Sequence, residues 1–121
     1  MKIRIKGNTL RLRLAPAEVE EIAKEGLVSD KIDFGSNQLI YSLESTQEAT
    51  MSADFNGSFI TVRVPNTIID SWTSTDQVGF NYEIPLGEDK SLSVLVEKDF
   101  QCLKPRAGED ESKLYKNPLA E

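Results

Sequence analysis

A nine-residue stretch near the amino terminus occurs a second time fifty positions later. Residues 6–14 have the sequence KGNTLRLRL, and residues 56–64 have the sequence NGSFITVRV. In each copy a turn signal precedes apolar residues that alternate with polar ones, which is the pattern of a half-buried strand. A proline then follows, Pro16 in the first copy and Pro65 in the second, at a position typical of a helix start. The repeat predicts one strand–turn–strand–helix–strand–strand unit that is used twice.

Two short helices belong to these units. The first is predicted over residues 15–26, where Ala23 joins an apolar stripe at helical spacing and a glycine ends the pattern. The second follows the second proline, with Asn66 or Thr67 as its cap. Trp72 falls on the apolar side of this helix, so we expect it to be a core anchor rather than a stacking platform.

The predicted fold class is mainly β with two short helices, a single-chain pseudo-dimeric β-barrel made from two ββαββ repeats. The repeats are placed at residues 1–45 and 51–97. A chain of 121 residues suits one domain, which we expect to cover residues 1–106 and to include a packed extension around Cys102. The polar and acidic residues 107–121 are predicted to form a mobile tail.

The charge is distributed unevenly along the chain. The formal net charge is −6, yet residues 1–14 carry five basic residues and no acid. An acidic chain is a poor non-specific ligand for nucleic acid, although a basic hairpin can contact phosphates. The apolar runs are far shorter than the roughly 20 residues that cross a bilayer, and the amino end has no secretory pattern. A single cysteine suits a reducing compartment. We therefore predict a cytoplasmic protein that does not bind membranes.

The residue types of an active site are scarce. The chain has no histidine, the usual general base and metal ligand at neutral pH. Cys102 has no base near it in sequence, which favours a packed thiol over a nucleophile. Acidic residues cluster at Glu83, Glu88 and Asp89 and again at residues 109–111, but neither cluster has the spacing of a calcium loop. The sequence therefore predicts a protein that is not an enzyme and has no cofactor or metal.

The run GNTLRLRLAP at residues 7–16, followed by an acidic helix that ends at Gly26, resembles the AbrB/MazE superfamily. The second copy resembles it through the pattern VRVP at residues 62–65, so the resemblance covers residues 1–97. Members of that superfamily pair two chains into one barrel by exchanging hairpins, and the resemblance implies that one chain here supplies both halves. Separately, residues 96–103 resemble the ending of a small bacterial family of unknown function, which implies no activity.

The AbrB/MazE resemblance implies two functions. Some members bind operator DNA through basic residues of the first hairpin and through the arginine before the proline. Carried over to this chain, the candidate nucleic-acid contacts are Lys6, Arg13 and Arg63, with Arg4 and Arg11 as helpers. Other members are antitoxins that bind a toxin ribonuclease with an acidic tail. The candidate partner contacts in the tail of this chain are Leu114, Tyr115, Pro118 and Leu119.

The second copy carries Asp54 and Asn56 where the first has Arg4 and Lys6, so a two-fold DNA footprint lacks one basic half. We therefore predict a non-enzymatic cytoplasmic module for protein interaction or regulation, which is a monomer or a weak dimer and has an unknown protein partner. A DNA-binding transcriptional regulator that uses the basic amino-terminal hairpin is the alternative.

Overall fold

The computed structural model describes residues 1–100, which form eight strands and two helices. In chain order the elements are β1 Lys2–Lys6, β2 Thr9–Leu14, α1 Pro16–Glu25, β3 Leu27–Asp33, β4 Gln38–Thr46, β5 Ser52–Asn56, β6 Phe59–Pro65, α2 Asn66–Ser74, β7 Gly79–Gly87 and β8 Lys90–Lys98. The prediction of a mainly β fold with two short helices is confirmed. The predictions for the acidic tail at residues 107–121 and for Cys102, Leu114, Tyr115, Pro118 and Leu119 lie outside the described residues.

The eight strands form two four-stranded sheets within residues 1–100. The first sheet has the order β1-β2-β8-β7 and the second has the order β3-β4-β6-β5. Each sheet joins two antiparallel hairpins through a central parallel pair, β2 with β8 and β4 with β6. Closure into a barrel requires the edge strands to pair with each other, and here β1, β7, β3 and β5 remain edges. The prediction of a closed barrel is therefore wrong for this part of the chain.

The core lies between the inner faces of the two sheets. Alternate residues of the four central strands are almost completely buried, and the fully buried ones are Leu12, Leu14, Leu43, Val62, Val64, Val94 and Val96. The helices cover this core at one end, where α1 buries Val19 and Ile22. Ala23 is exposed, so its assignment to the apolar stripe was wrong. The stripe on this ten-residue helix is narrower than its sequence pattern suggests.

Trp72 of α2 is completely buried, which confirms its prediction as a core anchor. Its ring meets that of Phe80 edge to face, with 5.3 Å between the ring centroids, an arrangement that aromatic pairs favour. Its indole N–H donates a hydrogen bond of 3.1 Å to the carbonyl of Val78. Trp72 therefore attaches α2 to the start of β7 and satisfies its own polar group in doing so.

The start of α2 differs from its prediction. Pro65 is the residue that precedes the first helical turn, and no side chain caps this helix by a hydrogen bond in the described structure. Asn66 is already helical, so the prediction of Asn66 or Thr67 as the cap was wrong. The proline ring restricts the backbone of Pro65 to a φ of −52°, and the helix can begin directly after it.

The four hairpin turns of residues 1–100 lie at the end of the molecule opposite the helices. We call this the open end, because the opposite sheet does not cover the inner-face side chains there. On the β1–β2 hairpin, Leu12 near the helices is 1% exposed whereas Ile5 near the turn is 63% exposed. On the β5–β6 hairpin the corresponding values are 0% for Val62 and 72% for Phe55. The two sheets thus enclose a core at one end and leave apolar side chains in solvent at the other.

Candidate functional site

The predicted basic residues of the first hairpin share the outer face of the first sheet. Arg4 lies directly across the ladder from Arg11, and Lys2 lies across from Arg13. Lys6 continues the same face toward the turn, because side chains two apart along a strand point to the same side. We call these five side chains the basic face. They line two shallow depressions with volumes of about 320 and 220 Å³.

Acidic residues of the same sheet neutralise part of the basic face. The guanidinium of Arg11 lies 2.5 Å from the carboxylate of Glu97, and that of Arg13 lies 3.5 Å from it. Within residues 1–100, neither Arg4 nor Lys6 forms an ion pair, and both are exposed. The sequence alone could not identify Glu97 as a partner, because 86 positions separate it from Arg11. Lys2 pairs with Asp99 at 2.9 Å, so the two uncompensated charges of the basic face lie toward the open end.

Arg63, the fifth candidate for nucleic-acid contact, lies on the second sheet, away from the basic face. Its guanidinium is 2.5 Å from a carboxylate oxygen of Asp54 and 3.7 Å from one of Glu44. The hydrogen bond to Asp54 raises the pKa of Arg63 above its ordinary value. The structure thus brings four of the five candidates together on one sheet and places the fifth between acids on the other. The outer face of the second sheet is not a basic counterpart of the first.

A groove of about 550 Å³ lies between the two sheets at the open end. Its apolar lining comes in matched pairs from the two halves of the chain: Ile5 and Phe55, Leu10 and Ile60, Leu39 and Leu92. The polar residues Asn8, Thr9 and Asp54 also border it. An adjoining depression of about 360 Å³ shares Leu39 and Phe55 and adds Phe34. We call this continuous surface the apolar groove.

The alternation in the sequence predicted half-buried strands here, and the groove itself was missed. Period two assigns Ile5 and Phe55 to the inner faces, which is correct. The period does not indicate how far along each strand the opposite sheet covers the inner face. Both residues lie two positions before a turn glycine, at the end of the hairpin away from the helices. This position is the sequence signal that could have indicated their exposure.

A separate polar cluster joins the two sheets near α1. The α-amino group of Met1 forms ion pairs with Glu18 of α1 and, at 2.8 Å, with Asp30 of β3. The hydroxyl of Tyr41 donates a hydrogen bond of 2.7 Å to the carbonyl of Met1. Burial disfavours the charged amino group, but its hydrogen bonds to Asp30 and Glu18 outweigh this and raise its pKa. This cluster fixes the start of β1 against the second sheet.

Other classes of site find little support in residues 1–100. No three or more histidine, cysteine, aspartate or glutamate side chains are grouped there so that they could hold a metal ion. Neither helix of this part has the length and apolar character needed to cross a membrane.

A model of a protein family matches residues 1–119, and its description is a family of unknown function, DUF7009. This agrees with the resemblance of the carboxyl-terminal part to a family without an assigned activity. No curated protein and no solved structure matches the chain, and the comparisons add no support for an AbrB/MazE relationship.

Proposed function

The chain belongs to DUF7009, a family of unknown function, and we propose that it is a non-enzymatic protein-interaction module that binds a partner through its apolar groove. The exposure of Phe55 and Ile5 at the open end carries this proposal. Large contiguous apolar patches are rare on soluble monomers, and they mark interaction surfaces. The partner would replace water over inner-face side chains that neither sheet covers in the other at this end.

The composition of the groove suits a protein ligand. Leu10 and Ile60 form the floor of the groove and are more buried than the two residues at its rim, Ile5 and Phe55. Asn8 and Asp54 supply polar atoms beside this floor. An apolar centre with a polar border is the usual anatomy of a protein interface, and aromatic residues such as Phe55 are common anchors in one.

Photo-cross-linking tests this proposal. A photoreactive phenylalanine analogue at position 55 should capture a discrete protein in extracts of the cells that express the chain. The same analogue at Leu27, an exposed residue at the helical end of the outer face, is the matched control. Ile5→Ser should then weaken binding of the purified partner by roughly 30-fold, the loss expected for an anchor residue. Equal capture from positions 55 and 27, or full binding by Ile5→Ser, would reject the groove as the binding surface.

We also propose that the chain is a duplicated, pseudo-dimeric form of the swapped-hairpin unit. The two parallel pairs support it, because Leu12 lies beside Val96 in one sheet and Val62 lies beside Leu43 in the other. Each sheet combines a hairpin from each half of the chain. Co-expression of residues 1–47 and 48–121 as separate chains should therefore yield a 1:1 complex with the β-rich circular dichroism of the intact chain. Soluble halves that fold separately and do not associate would contradict the exchange of hairpins.

A second candidate function is DNA binding in a transcriptional regulator of AbrB/MazE type. The observation that favours it is the absence of an acidic partner for Arg4 and Lys6 within residues 1–100, on a face that also holds Arg11. In a gel-shift series at low salt, Arg4→Ala/Lys6→Ala should lose binding, whereas Arg63→Ala should retain it. Each lost phosphate contact should also reduce the salt dependence of binding. No shift by the unmodified chain at low salt would eliminate this candidate.

A further inference from the structure

Two turns of opposite charge stand side by side at the open end. The β1–β2 turn follows Lys6, which forms no ion pair within residues 1–100, and no acid lies among residues 1–14. The β7–β8 turn consists of Glu88 and Asp89, both exposed and both with positive φ, 52° and 60°. A hydrogen bond of 2.7 Å from the side chain of Asn8 to the carbonyl of Ser91 holds the two turns together. Lys90, which is also exposed, follows this turn and offsets one of its two negative charges. The open end of this sheet therefore has a basic half and a net acidic half.

We propose that the partner of the apolar groove is a second copy of this chain, seated rim to rim with the first. The basic turn of each copy would face the acidic turn of the other, and each groove would cover the other. This inference rests on the proposed function, because it names the partner for the same surface.

The strand order explains why the charges match. In the first sheet the order is β1-β2-β8-β7. A two-fold axis perpendicular to this sheet, passing between β2 and β8 at the rim, reverses the order in the second copy. The β1–β2 turn then faces the β7–β8 turn of the other copy, and the contact is made twice, as in every isologous interface. Lys6 thus meets Glu88 and Asp89 rather than another Lys6.

The same operation places the apolar groove of one copy against the apolar groove of the other. Ile5 and Phe55 project from opposite hairpins into one groove, and Leu39 lines both of its parts. Two four-stranded sheets with strands about 4.8 Å apart and faces about 10 Å apart present an end of roughly 400–500 Å² per copy. The interface would bury about 800–1,000 Å² in total, which is below the standard range for stable complexes. We therefore expect a weak dimer, with a dissociation constant above about 1 μM.

Sedimentation equilibrium of the full chain, from about 5 μM to 1 mM, tests the inference. The average mass should rise from 13.5 kDa toward twice that value. Phe55→Ser should remain monomeric, and Leu27→Ser, the control at the opposite end, should associate like the unmodified chain. Glu88→Asn/Asp89→Gly removes both charges and suits the positive φ of the turn, so this variant should fold normally and associate at least five-fold more weakly. Circular dichroism of each variant checks its fold.

Charge reversal tests the pairing of the basic turn with the acidic turn most specifically. Lys6→Glu should weaken association, and Lys6→Glu combined with Glu88→Lys should restore it. A chain that stays at 13.5 kDa throughout, or a dimer that tolerates both Phe55→Ser and Lys6→Glu, would overturn the inference. If the chain is monomeric but position 55 still cross-links to a different protein, the second copy is rejected as the partner. The proposed function, binding through the apolar groove, would then still stand. Monomers without any groove-dependent partner would reject both.

Discussion

Alanine substitution of two aromatic residues distinguishes the covered core from the open end. Removal of a buried phenylalanine or tryptophan side chain costs about 3–5 kcal/mol of unfolding free energy. Trp72 is 0% exposed, so Trp72→Ala should lose this full amount. Phe55 is 72% exposed and buries little more than a quarter of its surface. Scaling the same loss by that fraction predicts only about 1 kcal/mol for Phe55→Ala.

Urea unfolding followed by far-ultraviolet circular dichroism measures both losses. A protein concentration well below about 1 μM, the lowest dissociation constant expected for the dimer, keeps association of copies out of the measurement. Should Trp72→Ala fail to fold, Trp72→Phe replaces it. That variant removes the indole hydrogen bond to the carbonyl of Val78, although this carbonyl keeps its hydrogen bond of 2.9 Å from the backbone N–H of Lys98. The lost hydrogen bond should cost about 0.5–1.5 kcal/mol. A loss of 3 kcal/mol or more for Phe55→Ala would mean that the open end is covered within the monomer, which would refute the groove.

Three further changes test other parts of the structure. The α-amino group of Met1 has a pKa raised above its ordinary 8.0 and Asp30 has one lowered below 3.8. The stabilisation by the α-amino group of Met1 should therefore be full below pH 8 and lost as pH rises through its raised pKa. The stabilisation by Asp30 should be present above about pH 4 and lost as pH falls through its lowered pKa. Asp30→Asn should therefore flatten the acid side of a stability–pH profile. Gly79→Ala should lower the midpoint of thermal unfolding, because the added methyl group would collide with the backbone carbonyl of Val96. Glu97→Gln should strengthen retention on heparin, because it releases the two arginines that Glu97 holds.

Most parts of the fold that follow from local sequence were predicted correctly, with the burial of Ala23 and the cap of α2 as the exceptions. Alternation along both copies of the repeat placed residues such as Leu12 and Val62 in the core, because period two directly reports the inner face of a strand. The turn glycines and the two prolines located the hairpins and helices. The burial of Trp72 followed from its place on the apolar side of α2.

The parts that depend on distant segments could not be predicted in the same way. No local pattern reports that β2 pairs with β8 or that Glu97 neutralises Arg11 and Arg13. The separation into two sheets depends on how far the edge strands diverge, which is a property of the assembled sheets. For the same reason the exposure of Phe55 became visible only in three dimensions. Of the candidate nucleic-acid contacts predicted from sequence, all but Arg63 lie on the basic face, and the apolar groove was not predicted.

Hydroxyl-radical footprinting of the full chain in dilute solution tests the central claim most directly. It compares the oxidation rates of inner-face side chains at the open end with those of side chains in the covered core. We expect Ile5 and Phe55 to be modified at rates typical of exposed side chains, while Leu12 and Trp72 remain unmodified until the protein unfolds. Protection of Ile5 and Phe55 equal to that of Leu12 would contradict an open, apolar end between the sheets.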